Sequence, residues 1–318
     1  MDWIRFGFFH RMNQQKKIEE DIPMAKFTAK DINDLRKSTG VGMMDCKKAL
    51  TEADGDVEKA MLILREKGLA TQAKKAGRVA AEGMVVAKVN DAHTVGCVVE
   101  VNSETDFVAK NEKFIEFVNK LADVIMKSDA TDMESALALT TEEGTVSDMV
   151  AAAVAQIGEK ISFRRFTRLT KNDNQVFGSY SHMGGRIAAL VLLNGTDQEA
   201  AYEIAMHAAA MNPQYVKSSE VPTEVLEKEK SIMKEELLKE GKPADRIENI
   251  LVGKVNKYYS EICLEDQIFI KAENKETVKA YAEAHGCEIV NMVRYEVGEG
   301  IEKKQENFAE EVMNQING

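Results

Sequence analysis

Two of the five histidines of this chain, His182 and His207, suggest a general base or a metal ligand. Either role needs neighbours, because a metal site combines several ligands and a catalytic base needs an orienting group. Neither histidine has a second histidine at the i, i+4 spacing, and neither lies in a carboxylate–histidine motif. We therefore expect hydrogen-bonded structural or interface histidines. His207, inside an apolar helix, is expected to face either the core or a partner.

The cysteines and glycines indicate no reactive or phosphate-binding site. The cysteines are widely spaced without a C-x-x-C pair, which predicts reduced, buried thiols rather than a zinc site or a disulfide framework: Cys46, Cys97, Cys263 and Cys287. Gly40-x-Gly42 lacks the third glycine and the preceding strand of a dinucleotide-binding loop. We predict a binding protein without a cofactor, not an enzyme.

The pair Asp106 and Phe107 lies where a strand pattern changes to a helix pattern. Residues 95–101 alternate with the period of a strand, whereas apolar residues from Phe107 onward recur at the spacing of one continuous helix. Ser103 and Asp106 have the spacing of a capping box, which places the helix start here. Periodicity favours Phe107 as a core residue, with Asp106 at the positive helix end. The alternative is a projecting turn that presents an aromatic side chain beside a carboxylate to a partner.

The composition predicts a helix-rich globular protein of two or three domains, since 318 residues with 44% apolar and 30% charged side chains include only four prolines. The net charge of −11 argues against direct nucleic-acid binding, because phosphate contacts need clustered Lys and Arg. No apolar run approaches the roughly 18 residues of a membrane span. A cytoplasmic location fits these features.

Several separated segments resemble the elongation factor Ts family, in family order. The segment TDFVAKNEKF (residues 105–114) resembles that family's TDFVA motif. Four further segments also resemble the family: TGVGMMDCKKALTEADGD (39–56), KKAGRVAAEG (74–83), IAMHAAAMNPQYV (204–216) and RYEVGEGIEKK (294–304). The resemblance extends from about Met24 to the C-terminus, and agreement across so many blocks is far more specific than one motif.

The resemblance implies a guanine nucleotide exchange factor of translation elongation. It would bind elongation factor Tu, with GDP or without nucleotide, disturb its magnesium and phosphate site, and promote GDP release so that GTP can rebind. The residues that the resemblance assigns to partner binding and exchange are Thr105, Asp106, Phe107, Val108, Met43, Met44, Arg36 and His182. No metal ligand, nucleic-acid contact or membrane contact is implied, and a homodimer and a heterotetramer stay open.

Pattern and resemblance together predict an α+β fold with a ubiquitin-associated-like three-helix bundle, two related α+β subdomains, an inserted coiled-coil hairpin and a C-terminal helix. The predicted segments are a disordered extension (1–23), the three-helix bundle (24–70), a linker (71–82), core subdomain N (83–170), the first part of core subdomain C (171–222), the helical hairpin (223–260), the second part of core subdomain C (261–298) and the C-terminal helix module (299–318).

In the three-helix bundle, Thr28 with Asp31 predicts a capping box for the first helix, and Gly68 is expected to end the third. Met43 and Met44 fall near an inter-helix loop, where exposure at a binding surface and core packing are both open. In the linker that follows, the cluster Lys74, Lys75 and Arg78 is expected to be a solvated charged face.

A weak internal duplication relates the two predicted subdomains. A hairpin over residues 84–101 precedes the helix that starts at Asp106, and about 90 residues later a hairpin over residues 177–193 precedes another helix. Thr105-Asp106 corresponds to Thr196-Asp197, but the second copy has no Phe after its Asp. In core subdomain N, a basic cluster formed by Arg164, Arg165 and Arg168 is expected to pair with neighbouring carboxylates.

Three further elements complete the predicted order. Residues 223–259 predict two antiparallel helices about Gly241-Lys242-Pro243, either protruding or packed on the core. A helix over 277–285 and a strand over 288–297 follow, and a final helix covers 301–316. The main alternative function is an adaptor that binds ubiquitin-like or helical ligands through the three-helix bundle, although it leaves the core blocks unexplained. An enzyme would need a pocket lined by paired ionisable groups.

Overall fold

The structure is a computed structural model, and it describes residues 27–39 and 41–302, with the backbone alone at residues 244 and 245. The predicted extension 1–23 and, from residue 303 onward, the predicted final helix lie outside these residues. The chain divides into two units, Met1–Ala70 and Thr71–Gly318.

Three helices start within the first unit, as predicted: α1 (Ala29–Thr39), α2 (Met43–Glu52) and α3 (Val57–Lys75). The predicted capping box is present, since the Thr28 N–H donates to Asp31 Oδ2 at 2.6 Å and the Asp31 N–H donates to Thr28 Oγ1 at 3.3 Å. The prediction that Gly68 ends the third helix is wrong. Gly68 is buried and keeps helical backbone rather than the left-handed conformation of a helix end, so α3 continues to Lys75.

The second unit alternates strands and helices along the chain. Its elements are β1 (Glu82–Val89), β2 (Val95–Ser103), α4 (Asp106–Ala109), α5 (Glu112–Lys127), α6 (Met133–Ala138), β3 (Thr140–Thr141), β4 (Gly144–Thr145), α7 (Val146–Ile157), β5 (Ser162–Thr170), β6 (Gln175–His182), β7 (Ile187–Asn194), α8 (Gln198–Met211), α9 (Thr223–Lys239), α10 (Ala244–Ile262), α11 (Val278–Ala284) and β8 (Glu288–Glu296). The two hairpins, the helix pair α9–α10 and strand β8 confirm their predictions. The short elements α6, β3 and β4 were not predicted.

Two antiparallel three-stranded sheets form the centre of this unit, in the orders β1-β2-β5 and β6-β7-β8. The sheets face each other across a cluster that includes Val85, Val98 and Leu190. Helices α5 and α7 cover the outer face of the first sheet, and α8 and α11 cover that of the second. The strands therefore lie between two helical layers, which is an α+β arrangement.

The two sheets repeat each other in detail. In each sheet the register of one strand pair shifts once. The shift lies between Glu100 and Val101 where β2 pairs with β5, and between Leu192 and Leu193 where β7 pairs with β8. These two shifts are 92 residues apart, which is one residue more than the offset that aligned Thr105 with Thr196 in the sequence. Thr105 corresponds to Asp197 rather than to Thr196, and both of these residues cap the helix that follows.

A buried carboxylate joins the first sheet to the end of β8. Glu100 is fully buried, and its carboxylate accepts hydrogen bonds from Arg164 and Arg165 on β5 and, at 2.9 Å, from the Gly298 N–H. Arg168 approaches Asp129 at 3.9 Å, so the three arginines pair with carboxylates as predicted. Burial would raise the pKa of Glu100, but the hydrogen bonds from Gly298 and the arginines outweigh it and hold the pKa below its ordinary value.

Two further observations concern reactivity and membranes. All four cysteines lie within the described residues, are buried and form no disulfide, which confirms their prediction. Burial raises the pKa of Cys97 to about 12 and that of Cys263 to about 11, so these thiols stay protonated at neutral pH. In the part of the chain that the structure describes, none of the helices combines the length and apolar character that a membrane span requires.

Candidate partner-binding site

The turn between β2 and α5 holds the acidic–aromatic pair. Thr105 has an extended backbone and its Oγ1 accepts from the Val108 N–H at 3.4 Å, so Thr105 is the N-cap of α4. The predicted capping box of Ser103 and Asp106 is therefore wrong. Ser103 Oγ instead donates to the Thr105 carbonyl oxygen at 3.0 Å, and thus hydrogen-bonds to the backbone of the capping residue.

The single long helix predicted from Phe107 onward is also wrong. Helix α4 ends after four residues, and Asn111 starts α5 by accepting from the Lys113 N–H at 2.9 Å. The interruption changes which side chains face the core. Val108 is half-buried against the first core, whereas Phe107 has an exposed fraction of 82%.

Phe107 is the most exposed large apolar side chain of the described residues, so the core position that periodicity alone favours is wrong and the alternative, a projecting turn, is observed. Burying such a side chain would contribute roughly 2 kcal/mol. The fold does not use this stabilisation. The turn is nevertheless ordered, because the starts of both neighbouring helices are capped. An apolar side chain held in water in this way is typical of a binding surface.

Asp106 places a carboxylate beside this aromatic ring. Its side chain is exposed, and Oδ2 accepts from Lys110 Nζ at 2.7 Å across one helical turn. The Lys110 hydrogen bond holds the pKa of Asp106 below its usual range. The turn therefore presents an ionised carboxylate next to a phenyl ring at neutral pH.

Two glutamates anchor the turn to the rest of the unit, and neither was predicted. Glu159, just after α7, accepts from the Thr105 N–H at 3.0 Å and from Thr105 Oγ1 at 2.7 Å. Glu104 accepts from the Lys160 N–H at 2.5 Å and pairs with Arg78 at 3.3 Å. These partners are separated by more than twenty residues of sequence, and no local pattern marks them.

Of the cluster Lys74, Lys75 and Arg78, Lys74 and Arg78 are exposed as expected and Lys75 is half-buried, and two of the three make contacts that were not predicted. Arg78 pairs with Glu104, as described above, and Lys75 Nζ donates to the Gly158 carbonyl oxygen. In return, Lys160 Nζ donates to the carbonyl oxygens of Ala76 and Arg78, each at 2.7 Å. Residues 75–78 thus contact the segment 158–160, which also contacts the turn.

His182 lies exposed at the end of β6, beside the Tyr180 ring at a centroid distance of 6.1 Å. The hairpin turn that follows is bound to the first sheet, because the Val85 N–H donates to the Gly185 carbonyl oxygen at 2.7 Å. Gly185 has φ of 90°, and a Cβ there would lie 2.7 Å from Met84 Cγ. Only glycine fits this contact without displacing β1 or its side chains.

His207 faces the core, which settles the alternative left open by its sequence. Its Nδ1 accepts from the Ile270 N–H at 3.1 Å, so Nε2 carries the proton and donates to Gln267 Oε1 at 2.9 Å. Burial lowers the pKa of His207 and keeps the ring neutral. His207 is therefore a structural histidine.

The remaining predicted site residues lie in the first unit. Arg36 is exposed on α1, and Met43 and Met44, at the start of α2, have exposed fractions of 48% and 62%. The choice between core packing and exposure is thus decided for both methionines. The structure brings Thr105, Asp106, Phe107 and Val108 together in one turn.

The second unit thus combines a mixed helix-and-sheet fold with a turn that exposes an aromatic side chain beside a carboxylate, an arrangement typical of a binding surface. The comparison with known families gives the particular group. The sequence model of the family described as elongation factor TS matches residues 104–299, which begin one residue before Thr105 and end at Glu299. The chain therefore belongs to the elongation factor Ts family, translation elongation factors that act as nucleotide exchange factors for elongation factor Tu.

Proposed function

We propose that this protein binds GDP-bound elongation factor Tu and promotes GDP release by inserting Phe107 and Asp106 beside the magnesium and phosphate site of the partner. The single observation that carries the proposal is the 82% exposed Phe107 on a turn whose caps and anchors hold it in place. The family supplies the partner and the kind of activity.

The energetic requirement is reciprocal coupling. If the protein weakens GDP binding, GDP must weaken binding of the protein by the same factor. Nanomolar nucleotide affinity corresponds to about 12 kcal/mol, so useful acceleration needs several kcal/mol of destabilisation. Magnesium is an effective target, because it requires near-ideal octahedral geometry and bridges protein groups and phosphates.

Phe107 and Asp106 have different roles in this proposal. Phe107 separates side chains of the partner, and the apolar surface that it buries supplies binding energy. Asp106 is exposed and paired with a single lysine, so its carboxylate can exchange Lys110 for groups near the metal. Binding energy from the ring is thus used to distort the metal site.

Contacts away from the turn supply the rest of the grip. We assign Arg36, Met43 and Met44 to one contact and His182 to another, and the exposure of all four residues supports this assignment. The exposed methionines suit an adaptable binding surface. The ubiquitin-associated-like character of α1–α3, the coiled-coil character of α9–α10, the domain boundaries, the cytoplasmic location and the homodimer or heterotetramer remain predictions.

The test is the release of fluorescent GDP from elongation factor Tu. Wild type is expected to accelerate release, and Phe107→Ala to reduce the acceleration about a hundredfold, since an anchoring aromatic side chain contributes about 2–4 kcal/mol. Asp106→Asn keeps the shape of the side chain and removes its charge, so it isolates the electrostatic part. Val290→Ala, an exposed apolar residue on β8, is the matched control and is expected to behave as wild type.

Binding of each variant to nucleotide-free elongation factor Tu separates the two stages. Variants of the turn that bind but release GDP slowly support the proposal. Turn variants that match wild type in release return Asp106 and Phe107 to a structural role, and inactive wild type removes the proposal altogether.

An adaptor function is the second candidate, because Met43 and Met44 form an exposed apolar pair on a helical unit. An adaptor would lose partner binding on Met43→Ala/Met44→Ala substitution and be indifferent to Phe107→Ala. The exchange factor is expected to show the opposite order of effects on GDP release.

A further inference from the structure

The end of helix α7 is shaped to approach the acidic–aromatic turn. Gly158 caps α7 in the left-handed conformation, with φ of 86° and ψ of 4°, and the chain therefore changes direction at once. The next two residues, Glu159 and Lys160, contact Thr105 and Glu104 on either side of the bond that enters the turn.

The Glu159 carboxylate takes both polar hydrogens of Thr105. Its Oε2 accepts from the backbone N–H at 3.0 Å and its Oε1 accepts from the hydroxyl at 2.7 Å. Because the hydroxyl proton is committed to Glu159, the lone pairs of Thr105 Oγ1 are directed toward the Val108 N–H that it caps. Glu159 thus fixes the orientation of the capping hydroxyl.

The cap itself is weak without this support. Its Oγ1–N distance of 3.4 Å is longer than a good hydrogen bond, and α4 has only four residues. Isolated helical turns of this length are not stable in water. The position of Phe107 therefore depends on groups outside the turn, and Glu159 makes the two direct contacts to the capping residue.

We infer that Glu159 is a positioning residue for nucleotide exchange, acting through Thr105 to hold the turn that presents Asp106 and Phe107. This inference rests on the proposed function. An ordered turn delivers Phe107 in one orientation, whereas a mobile one must be ordered on binding and loses part of the interaction energy. Glu104 with Lys160 and Arg78 supports the same turn from its other side.

The kinetic test compares Glu159→Ala, Glu159→Gln and wild type in GDP release from elongation factor Tu. Glu159→Ala is expected to lower the maximal rate about tenfold, the equivalent of one lost charge-assisted hydrogen bond, with little change in the concentration for half-maximal rate. Glu159→Gln keeps an oxygen acceptor for the Thr105 N–H and is expected to restore part of the rate. Glu142→Ala, an exposed glutamate between β3 and β4, is the control.

A double variant tests the route of the effect. If Glu159 acts through the turn, Glu159→Ala added to Phe107→Ala reduces the rate little further, because the positioned group is already missing. Multiplicative losses would show that Glu159 acts elsewhere and would overturn the inference.

Amide hydrogen exchange of the free protein supplies a readout that needs no partner. Exchange at the Thr105 and Val108 amides is expected to rise about tenfold in Glu159→Ala, with core amides of β2 unchanged. Unchanged exchange at these amides, or a wild-type release rate in Glu159→Ala, overturns the inference alone. A wild-type protein that leaves GDP release unchanged overturns the proposed function and, with it, the exchange role of Glu159.

Discussion

In both sheets of the second unit, the middle strand is followed by a residue that caps a helix. One of these helices is buried, and the other forms an exposed turn. Thr105 and Asp197, 92 residues apart, each follow a middle strand and cap a helix with a side-chain oxygen. After Asp197, helix α8 continues for 14 residues and buries an alanine-rich face. After Thr105, helix α4 stops at four residues and leaves Phe107 in water.

The difference shows that a helix cap alone does not decide between core and surface. Helix α8 lies so close to β6 that a Cβ on Gly178 would collide with the Ala201 carbonyl group. In the first copy, Asn111 starts a new helix, and α5 rather than α4 covers the sheet. A second cap two residues after the end of α4 thus accompanies the change from a core helix start to a projecting turn.

The largest expected effect on stability comes from giving β2 the residue that β7 carries at the corresponding position. Glu100→Leu copies Leu192, its counterpart in β7, and removes the acceptor shared by Arg164, Arg165 and the Gly298 N–H. We expect a loss of about 3 kcal/mol in the free energy of unfolding, measured by urea denaturation, because two half-buried arginines and a backbone N–H lose their shared buried acceptor.

The pH dependence of the same variant sharpens this prediction. The folded-state pKa of Glu100 is lowered, so its stabilisation is present above its ordinary value of 4.5 and is lost as pH falls through the folded-state pKa. Wild type should therefore lose more stability than Glu100→Leu in this acidic range. A loss under about 1 kcal/mol at pH 7 would show that the arginines are satisfied by water.

A smaller effect of pH on stability is expected in the second copy, because it contains the buried histidine His207. The folded-state pKa of His207 is lowered, so the unfolded chain binds more protons, and stability falls as pH decreases below the ordinary value of 6.5. Protonation also opposes the Ile270 N–H with a second donor, which costs about 2 kcal/mol once the ring is charged.

Hydrogen exchange measured between pH 7 and pH 5 is the suitable experiment. Amides of α8 should lose protection before those of α5 in wild type. His207→Gln, which cannot gain a charge, should remove the difference between the two helices. Equal loss of protection in wild type would contradict the prediction.

The smallest expected change acts on the second cap. Asn111→Glu introduces the residue that α8 carries at the corresponding position, Glu203, and removes the side-chain acceptor for the Lys113 N–H. We expect about 1 kcal/mol of destabilisation and slower GDP release, because the turn loses the break that exposes Phe107.

Asn111→Asp is the control for that substitution, since aspartate caps helices as well as asparagine. It should preserve both stability and release rate. If Asn111→Glu is as active as Asn111→Asp, the interruption is maintained by contacts other than the cap.

Regular elements were predictable from the sequence because their apolar spacing is set by the same core that they form. The strands of both hairpins and the pair α9–α10 are examples. The elements α6, β3 and β4 are too short to show a period, and they were missed.

The candidate site was predicted in composition but not in geometry. Ser103 and Thr105 are both residue types that cap helices, and the contact that supports Thr105 comes from Glu159, which lies 54 residues further along the chain. A contact of that range leaves no periodic signal in one sequence. The same reason explains why the pairing of the exposed Arg78 with Glu104 was not predicted.

The hydrogen bond from the Val85 N–H to the Gly185 carbonyl oxygen has one more consequence. Through it, the hairpin that carries His182 shares a backbone network with β1, which pairs with the strand leading to Phe107. Paired strands thus connect the positions of these two side chains and set the distance between them. If Phe107 and His182 both contact elongation factor Tu, as proposed, a partner whose two contact points are spaced differently must change its own shape to touch both.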